Sequence, residues 1–438
     1  MKTKKTKKFK FVDLFAGCGG LSLGLELAEF EPIFVNELNQ SALETYLLNR
    51  ELHFPLLRSK YNLADIKKLV ESDGRLLTEL IHDLQADYDL DIKSGDLDLL
   101  VGGPPCQGFS GLGHRRSYSV NKKQLPSNHL YQDMAFVISM LRPKIFLFEN
   151  VAGLLSSRWS AGGAKGEIFR DVLKEFRKLK DYEIRWELVH ASDYGVPQNR
   201  PRVLVVGINK RYLRLPSENP EIKDDASLIS PTAVKDGWLP KGKGGAPGLE
   251  DLLSDLARGE RRGAEADLLY SADPKTEMQK WLRTKGAKLL KKGDILTEQE
   301  YSNHKPKVRE KFQYMLDHGV IPLKFKTKKF AQRVLPKTWE KTGGRPSITA
   351  TSLADDYVHY SEPRTLTVRE WARLQTFPDW YKFMGPRTTG GRRRAGDPSK
   401  GDWSRDVPKY TQIGNAVPVL LANELGKHFI KVLKNNEL

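Results

Sequence analysis

Short apolar runs alternate with segments of helical periodicity across the first 200 residues, and no other feature of the sequence constrains the fold as much. The runs "FKFVDLF" (9–15), "PIFVNE" (32–37), "LDLLV" (97–101), "KIFLFE" (144–149), 182–190 and 202–208 have strand length. Between them, 21–29, 40–50, 128–141 and 166–180 read as helices. Strands that are apolar throughout, each followed by a helix, predict an α/β fold with a doubly wound, mostly parallel sheet covered on both faces. After about 210, Pro, Gly and Lys become frequent ("LPKGKGGAPG", 239–248), which predicts a smaller irregular second body. Order returns at "TLTVREWARLQ" (365–375), where Thr367 and Glu370 have the spacing of a capping box. Asn415 then suits the N-cap of a last helix packed on the sheet. The expected division is 1–210 with 410–438 as one domain and 211–409 as the other. No internal repeat is visible.

The first strand runs into "DLFAGCGG", a glycine turn before a helix. Such a turn lets a ligand approach the backbone, and the helix N-terminus offers unpaired N–H groups. Glu37 ends the next strand, where a carboxylate can accept both hydroxyls of a ribose. Asp65, in "LADI", is a candidate for an adenine amino group. A dinucleotide fingerprint fails, because counting from Gly17 its third glycine falls on Ser22, and no P-loop lysine follows. The turn and Glu37 together favour an adenosine ligand.

A second turn, "GGPPCQGFS" (102–110), carries one of only two cysteines in 438 residues. Open α/β sheets bind ligands beyond the carboxyl ends of their strands, and Cys106 lies there, presented by two glycines and two prolines. Glu149 ends the following strand, in "FENV", a carboxyl group at a sheet edge with general acid–base potential. In "QNRPR" (198–202), Arg200 and Arg202 stand at i, i+2 on one side of an extended segment. Two guanidiniums there suit a phosphate and a base carbonyl.

The net charge of +17 is confined to segments. Residues 1–10 hold six Lys, residues 271–347 hold 19 Lys/Arg against eight Asp/Glu, and residues 387–405 hold six against two. Basic runs on a near-neutral body point to a polyanion-binding face. No apolar stretch approaches a membrane span, and Cys18 and Cys106 form neither a disulfide framework nor a zinc motif. A cytoplasmic protein without metal or membrane contact is expected.

"DLFAGCGGLSLGLE", "GGPPCQGFS", "FENV", "QNRPR", "RTLTVREWARLQTFPDWY" and "QIGNAVP" together resemble the ordered motifs of the DNA (cytosine-5) methyltransferases, of the bacterial modification-methylase type. The resemblance spans about 11–210 and 345–425 and leaves 211–344 largely uncovered. It implies the S-adenosylmethionine-dependent methyltransferase fold and methyl transfer from S-adenosylmethionine to C5 of a flipped-out cytosine in double-stranded DNA. Cys106 would be the nucleophile at C6, Glu149 would act at N3, and Arg202, with Arg200 beside it, would hold the base. The cofactor residues implied are Phe15, Gly17, Gly19, Gly20, Leu21, Glu37, Asp65, Ile66, Asn415 and Ala416. Gln107, Phe109 and Ser110, with the loop through 127, resemble a lid over the base, and Asn150 and Gln198 are carried over as substrate contacts. "RPSITATS" (345–352) resembles the recognition loop and singles out Arg345 and Thr349. "GGRRR" adds Arg392, Arg393 and Arg394 as phosphate contacts. A monomer acting on DNA at the nucleoid, with a cognate restriction endonuclease as genetic partner, is expected. The competing readings are a tRNA cytosine-5 methyltransferase, a non-catalytic DNA-binding regulator on the same scaffold, and a nucleotide-dependent oxidoreductase.

Overall fold

The computed structural model describes residues 8–105, 129–160, 162–212, 230–256, 269–325, 332–346, 348–349, 355–388 and 407–436. Seven strands form the main sheet: β1 (Phe9–Leu14), β2 (Phe30–Asn36), β3 (Asn62–Leu63), β4 (Leu99–Gly102), β5 (Ile145–Val151), β6 (Tyr182–His190) and β7 (Pro201–Asn209). Their spatial order is β3-β2-β1-β4-β5-β7-β6. All pairs are parallel except those of β7, which is antiparallel to both β5 and β6.

Alternate residues along each strand feed opposite faces. Val12, Leu100, Phe146, Val203 and Val205 enter one apolar cluster. Phe11, Leu99, Val101, Ile145, Leu147, Leu204 and Val206 enter the other. Helices α1 (Gly20–Leu27), α2 (Gln40–Leu48), α3 (Arg75–Tyr88), α4 (Leu130–Leu141) and α5 (Glu167–Arg177) connect the strands. Side chains of α2 to α5 complete the first cluster. Those of α1 complete the second, with Leu421, Leu425 and Phe429 from near the chain's far end. The sheet is therefore covered on both faces, as the alternation predicts.

Beyond β7, the described residues include helices α6 (Glu277–Arg283), α7 (Pro306–His318) and α8 (Val368–Leu374) before the chain's last two helices. Thr367 and Glu370 make the expected capping box on α8. Ala233, Trp238 and Leu239 pack with the outer face of the sheet. Leu252, Tyr270, Leu282, Trp371 and Tyr381 gather into a third cluster, which reaches Cys18 and Leu23 beside the first glycine turn. At its centre Arg373 pairs with Asp255 at 2.6 Å and Asp379 at 2.5 Å, and Arg283 pairs with Asp255 at 2.6 Å. Arg283 is thus buried, so the basic run 271–347 presents a smaller positive face than its composition suggests.

Asn415 is not an N-cap. It is the last residue of α9 (Lys409–Asn415), and a separate helix, α10 (Val419–Asn436), follows. Pro418 imposes the division: it disfavours helical geometry at Val417 and has no N–H with which to continue the helix, and Ala416 is already extended.

Candidate active site

The chain moves outward from β1 to β2 and β3, then returns to lay β4 on the other side of β1. β1 and β4 are parallel neighbours with Leu14 opposite Gly102, so their carboxyl ends open side by side. This topological switch point is the usual ligand site of an open α/β sheet. It brings the glycine turn and the segment leading to Cys106 to the same edge.

Phe15, Gly17 and Gly19 all have positive φ, at 58°, 57° and 83°. The turn therefore bends back before α1 starts at Gly20. A Cβ on Gly17 would meet nothing within 4 Å, whereas one on Gly20 would lie 2.4 Å from the Val417 carbonyl and 3.1 Å from the Ala416 Cβ. Gly20 thus admits the far end of the chain, and Gly17 leaves open space. Glu37 is half-buried. Its two oxygens accept from the backbone N–H of Gly17 at 2.8 Å and of Asn39 at 2.7 Å. Burial pushes its pKa up against the pull of those two N–H groups. Asp65 is half-buried and Ile66 buried just beyond β3, with the Asp65 carboxylate accepting from Lys67 N–H at 3.0 Å. Asn415 is exposed and Ala416 half-buried. The Leu21 side chain lies in the apolar core, which leaves only its backbone to face a ligand.

On the β4 and β5 side, Arg202 Nε stands 2.5 Å from Glu149 Oε1 in an ion pair. A Cβ on Gly103 would lie 2.9 Å from the other Glu149 oxygen, so a side chain there would press on the carboxylate. Asn150 is buried, and its amide donates to the Pro104 carbonyl at 3.1 Å. That bond fixes the backbone two residues before Cys106. Arg200 is also buried and donates through Nη2 to the Gly414 carbonyl at 2.6 Å. Burial disfavours the charge of both arginines, and Glu149 opposes that effect.

The match that decides the family covers residues 9–431 and is to the C-5 cytosine-specific DNA methylase model. The chain belongs to that family. It is a DNA cytosine-5 methyltransferase. It is 28% identical over 98% of its length to the type II methyltransferase M.DdeI of Desulfomicrobium norvegicum, spanning 90% of that protein. It is also 28% identical over 97% of its length to M.XorII of Xanthomonas oryzae, spanning 85% of that protein. A crystal structure described as a prophage-encoded DNA modification methyltransferase of E. coli superposes with a TM-score of 0.61 at 23% identity, covering 97% of this chain and 99% of that one. This last likeness supports the methyltransferase fold.

Two residues expected to contact substrate, Gln198 and Asn150, have internal partners. Gln198 is fully buried, and its Nε2 donates to the Leu374 carbonyl at 2.7 Å and Gln375 Oε1 at 2.8 Å. Asn150 is committed to Pro104. Thr349 Oγ1 donates to the Asn199 carbonyl at 2.5 Å, while Asn199 N–H donates to the Ile348 carbonyl at 2.7 Å. The loop containing Thr349 is therefore stapled to the segment that carries Arg202. Arg345 is exposed. Cys106, Gln107, Phe109, Ser110, Arg392, Arg393 and Arg394 lie outside the described residues.

Sequence reasoning missed three groups near the turn. Asp13 accepts from the Ser22 hydroxyl at 2.5 Å, and Ser22 also meets the Tyr46 hydroxyl at 2.9 Å. Arg50 reaches the Gly19 carbonyl, Glu26 and the Tyr381 hydroxyl from beneath. A carboxylate inside an apolar run marked Asp13, but nothing local marked Arg50 or Tyr381. Among the described residues there is no metal-binding cluster and no helix long and apolar enough to cross a membrane.

Proposed function

We propose that the methylase uses S-adenosylmethionine to modify a cytosine turned out of double-stranded DNA, through a covalent bond between Cys106 and C6. The observation that carries this reading is the Glu149–Arg202 pair, held at the edge where β4 delivers Pro104 and Pro105 toward Cys106. A stacked base cannot reach such an edge, so the nucleotide must leave the helix. Arg202 then holds the O2 carbonyl, and Glu149, having taken a proton from solvent, donates it to N3. The Cys106 thiolate forms the S–C6 bond as ring electrons move toward C5. S-adenosylmethionine, when bound, supplies an electrophilic methyl group at that carbon. Loss of the C5 proton restores the double bond, breaks the S–C6 bond and returns the thiolate.

The glycine turn supports an adenosine-bearing cofactor. Glu37 is already held by two backbone N–H groups, and Gly17 leaves open space beside it. Phe15, Gly17, Gly19, Gly20, Leu21, Glu37, Asp65, Ile66, Asn415 and Ala416 are the residues assigned to hold it. Target choice is assigned within 211–409, with Arg345 and Thr349 in the loop stapled to Asn199. A role beside a cognate restriction endonuclease fits the type II relatives.

Duplex DNA carrying 5-fluorocytosine tests the mechanism, because fluorine cannot leave C5 as a proton does. The wild-type chain forms a denaturation-resistant adduct in the presence of S-adenosylmethionine, and Cys106→Ser forms none while still binding the cofactor. An active wild-type enzyme that leaves no adduct would contradict the Cys106 intermediate. Methyl transfer to tRNA in preference to duplex DNA would move the substrate to RNA.

A further inference from the structure

Three consecutive residues before β7 each bond a different distant segment. Gln198 bonds the end of α8, Asn199 bonds residues 348 and 349, and Arg200 bonds Gly414. Gln375, at the C-terminus of α8, extends the first of these links. Its Oε1 accepts from Gln198, and its Nε2 donates to the Ile413 carbonyl at 2.9 Å and the Ala416 carbonyl at 3.2 Å. Its own carbonyl accepts from Val419 N–H at 3.1 Å, where α10 begins. Both glutamines are fully buried.

We infer that Gln198 and Gln375 act as positioning residues, forming a relay that couples the junction of α9 and α10 at Asn415 and Ala416 to the segment leading into the strand that carries Arg202. The reason lies in the two-sided chemistry of an amide. Gln375 can give both N–H groups to the end of α9 and its cap, at Ile413 and Ala416, only while its oxygen faces Gln198. Rotation of that amide by half a turn would aim N–H groups at the Gln198 donor and oxygen at two carbonyls, costing several buried hydrogen bonds at once. One orientation is therefore fixed from both ends. Displacement of either end therefore loosens the other, in parallel with the direct bond from Arg200 to the Gly414 carbonyl. Neither glutamine needs to touch substrate or cofactor for this.

The inference rests on the assignment of Asn415 and Ala416 to the cofactor. Calorimetric titration of the full-length chain with S-adenosylmethionine tests it, using Gln198→Met, Gln375→Met and the double variant. Methionine keeps the length and removes the donors. Each single variant is expected to raise the dissociation constant about tenfold, and the double variant to add little, because both cut one relay. Amide hydrogen exchange at 413–417 is expected to quicken in Gln198→Met, although residue 198 bonds none of those residues. A purely structural role would lower the melting temperature and leave the affinity of the folded protein alone. An affinity for Gln198→Met within about twofold of wild type, with unchanged exchange at 413–417, overturns the relay. Failure of the wild-type chain to bind the cofactor overturns both the relay and the reading beneath it. If Gln375→Met does not fold, Gln375→Glu replaces it, keeping the acceptor toward Gln198 and removing both donors toward the junction.

Discussion

Within β1 the Asp13 side chain is buried beside Ser22, with Tyr46 and Arg50 near it. Burial pushes its pKa up to about 7, against the pull of Ser22 and Arg50 and with Glu26 and Glu37 adding to the rise. An unfolded aspartate titrates near ~4, so between that value and about 7 the folded protein keeps a proton that the unfolded chain releases. Its contribution to stability is therefore complete in acid and is lost as pH rises through that window. Denaturant unfolding of wild type and Asp13→Asn from roughly pH 4 to 8 isolates the effect, because the variant keeps an acceptor for Ser22. The variant is expected to gain stability relative to wild type as pH rises. A difference that stays flat with pH would show that Asp13 is ionised in both states.

At the level of elements, α1 and α10 meet through glycine. A Cβ on Gly24 would fall 2.3 Å from the Ala422 Cβ and 2.5 Å from the Val419 carbonyl, both on α10. Gly24→Val should lower the unfolding free energy by about 1–3 kcal/mol or more, read as a lower denaturation midpoint with little change in the denaturant slope. An unchanged midpoint would mean that α10 shifts freely on α1. The strands were legible because strands covered on both faces are apolar throughout, and β1 to β7 lie close to the predicted runs, with only the two-residue β3 unread. The capping box at Thr367 was legible for the same local reason. The division between α9 and α10 was misread, since Asn415 has the chemistry of a cap while Pro418 sets the break. Helix α7 was not read at all. Its buried contacts are few, Phe312 and Met315 among them, so the apolar stripe is too thin to show in a lysine-rich segment.

Across the whole molecule, what the sequence hid is mostly long-range. Gln198 and Gln375 are 177 residues apart, and neither carries a local mark of its partner. The Arg373–Asp255 and Arg283–Asp255 pairs were equally hidden, because charged residues read as surface until their partners are known. Removing one member of such a buried pair leaves an uncompensated charge, which costs more than the pair contributes when intact. Charge that does remain outside should govern DNA affinity. Replacing Arg392, Arg393 and Arg394 with Ala is expected to flatten the log–log salt dependence of duplex binding by about two to three units. Affinity should fall alike for target and random duplexes, with the methylated sequence unchanged in bisulfite reads. An unaltered salt slope would remove these arginines from the phosphate interface.

The seating of α10 on α1 also sets an order of events during synthesis. Leu21, Leu25 and Gly24 leave the ribosome nearly 400 residues before Val419, Leu421 and Ala422, which cover them. At about 5–20 residues per second, that inner face waits tens of seconds for its cover. Throughout that interval the nascent chain leaves an apolar helix face open to solvent, the kind of surface that drives aggregation of partly folded chains. A message cut short before codon 419 would yield a protein with that surface permanently open, prone to clump and quick to be degraded.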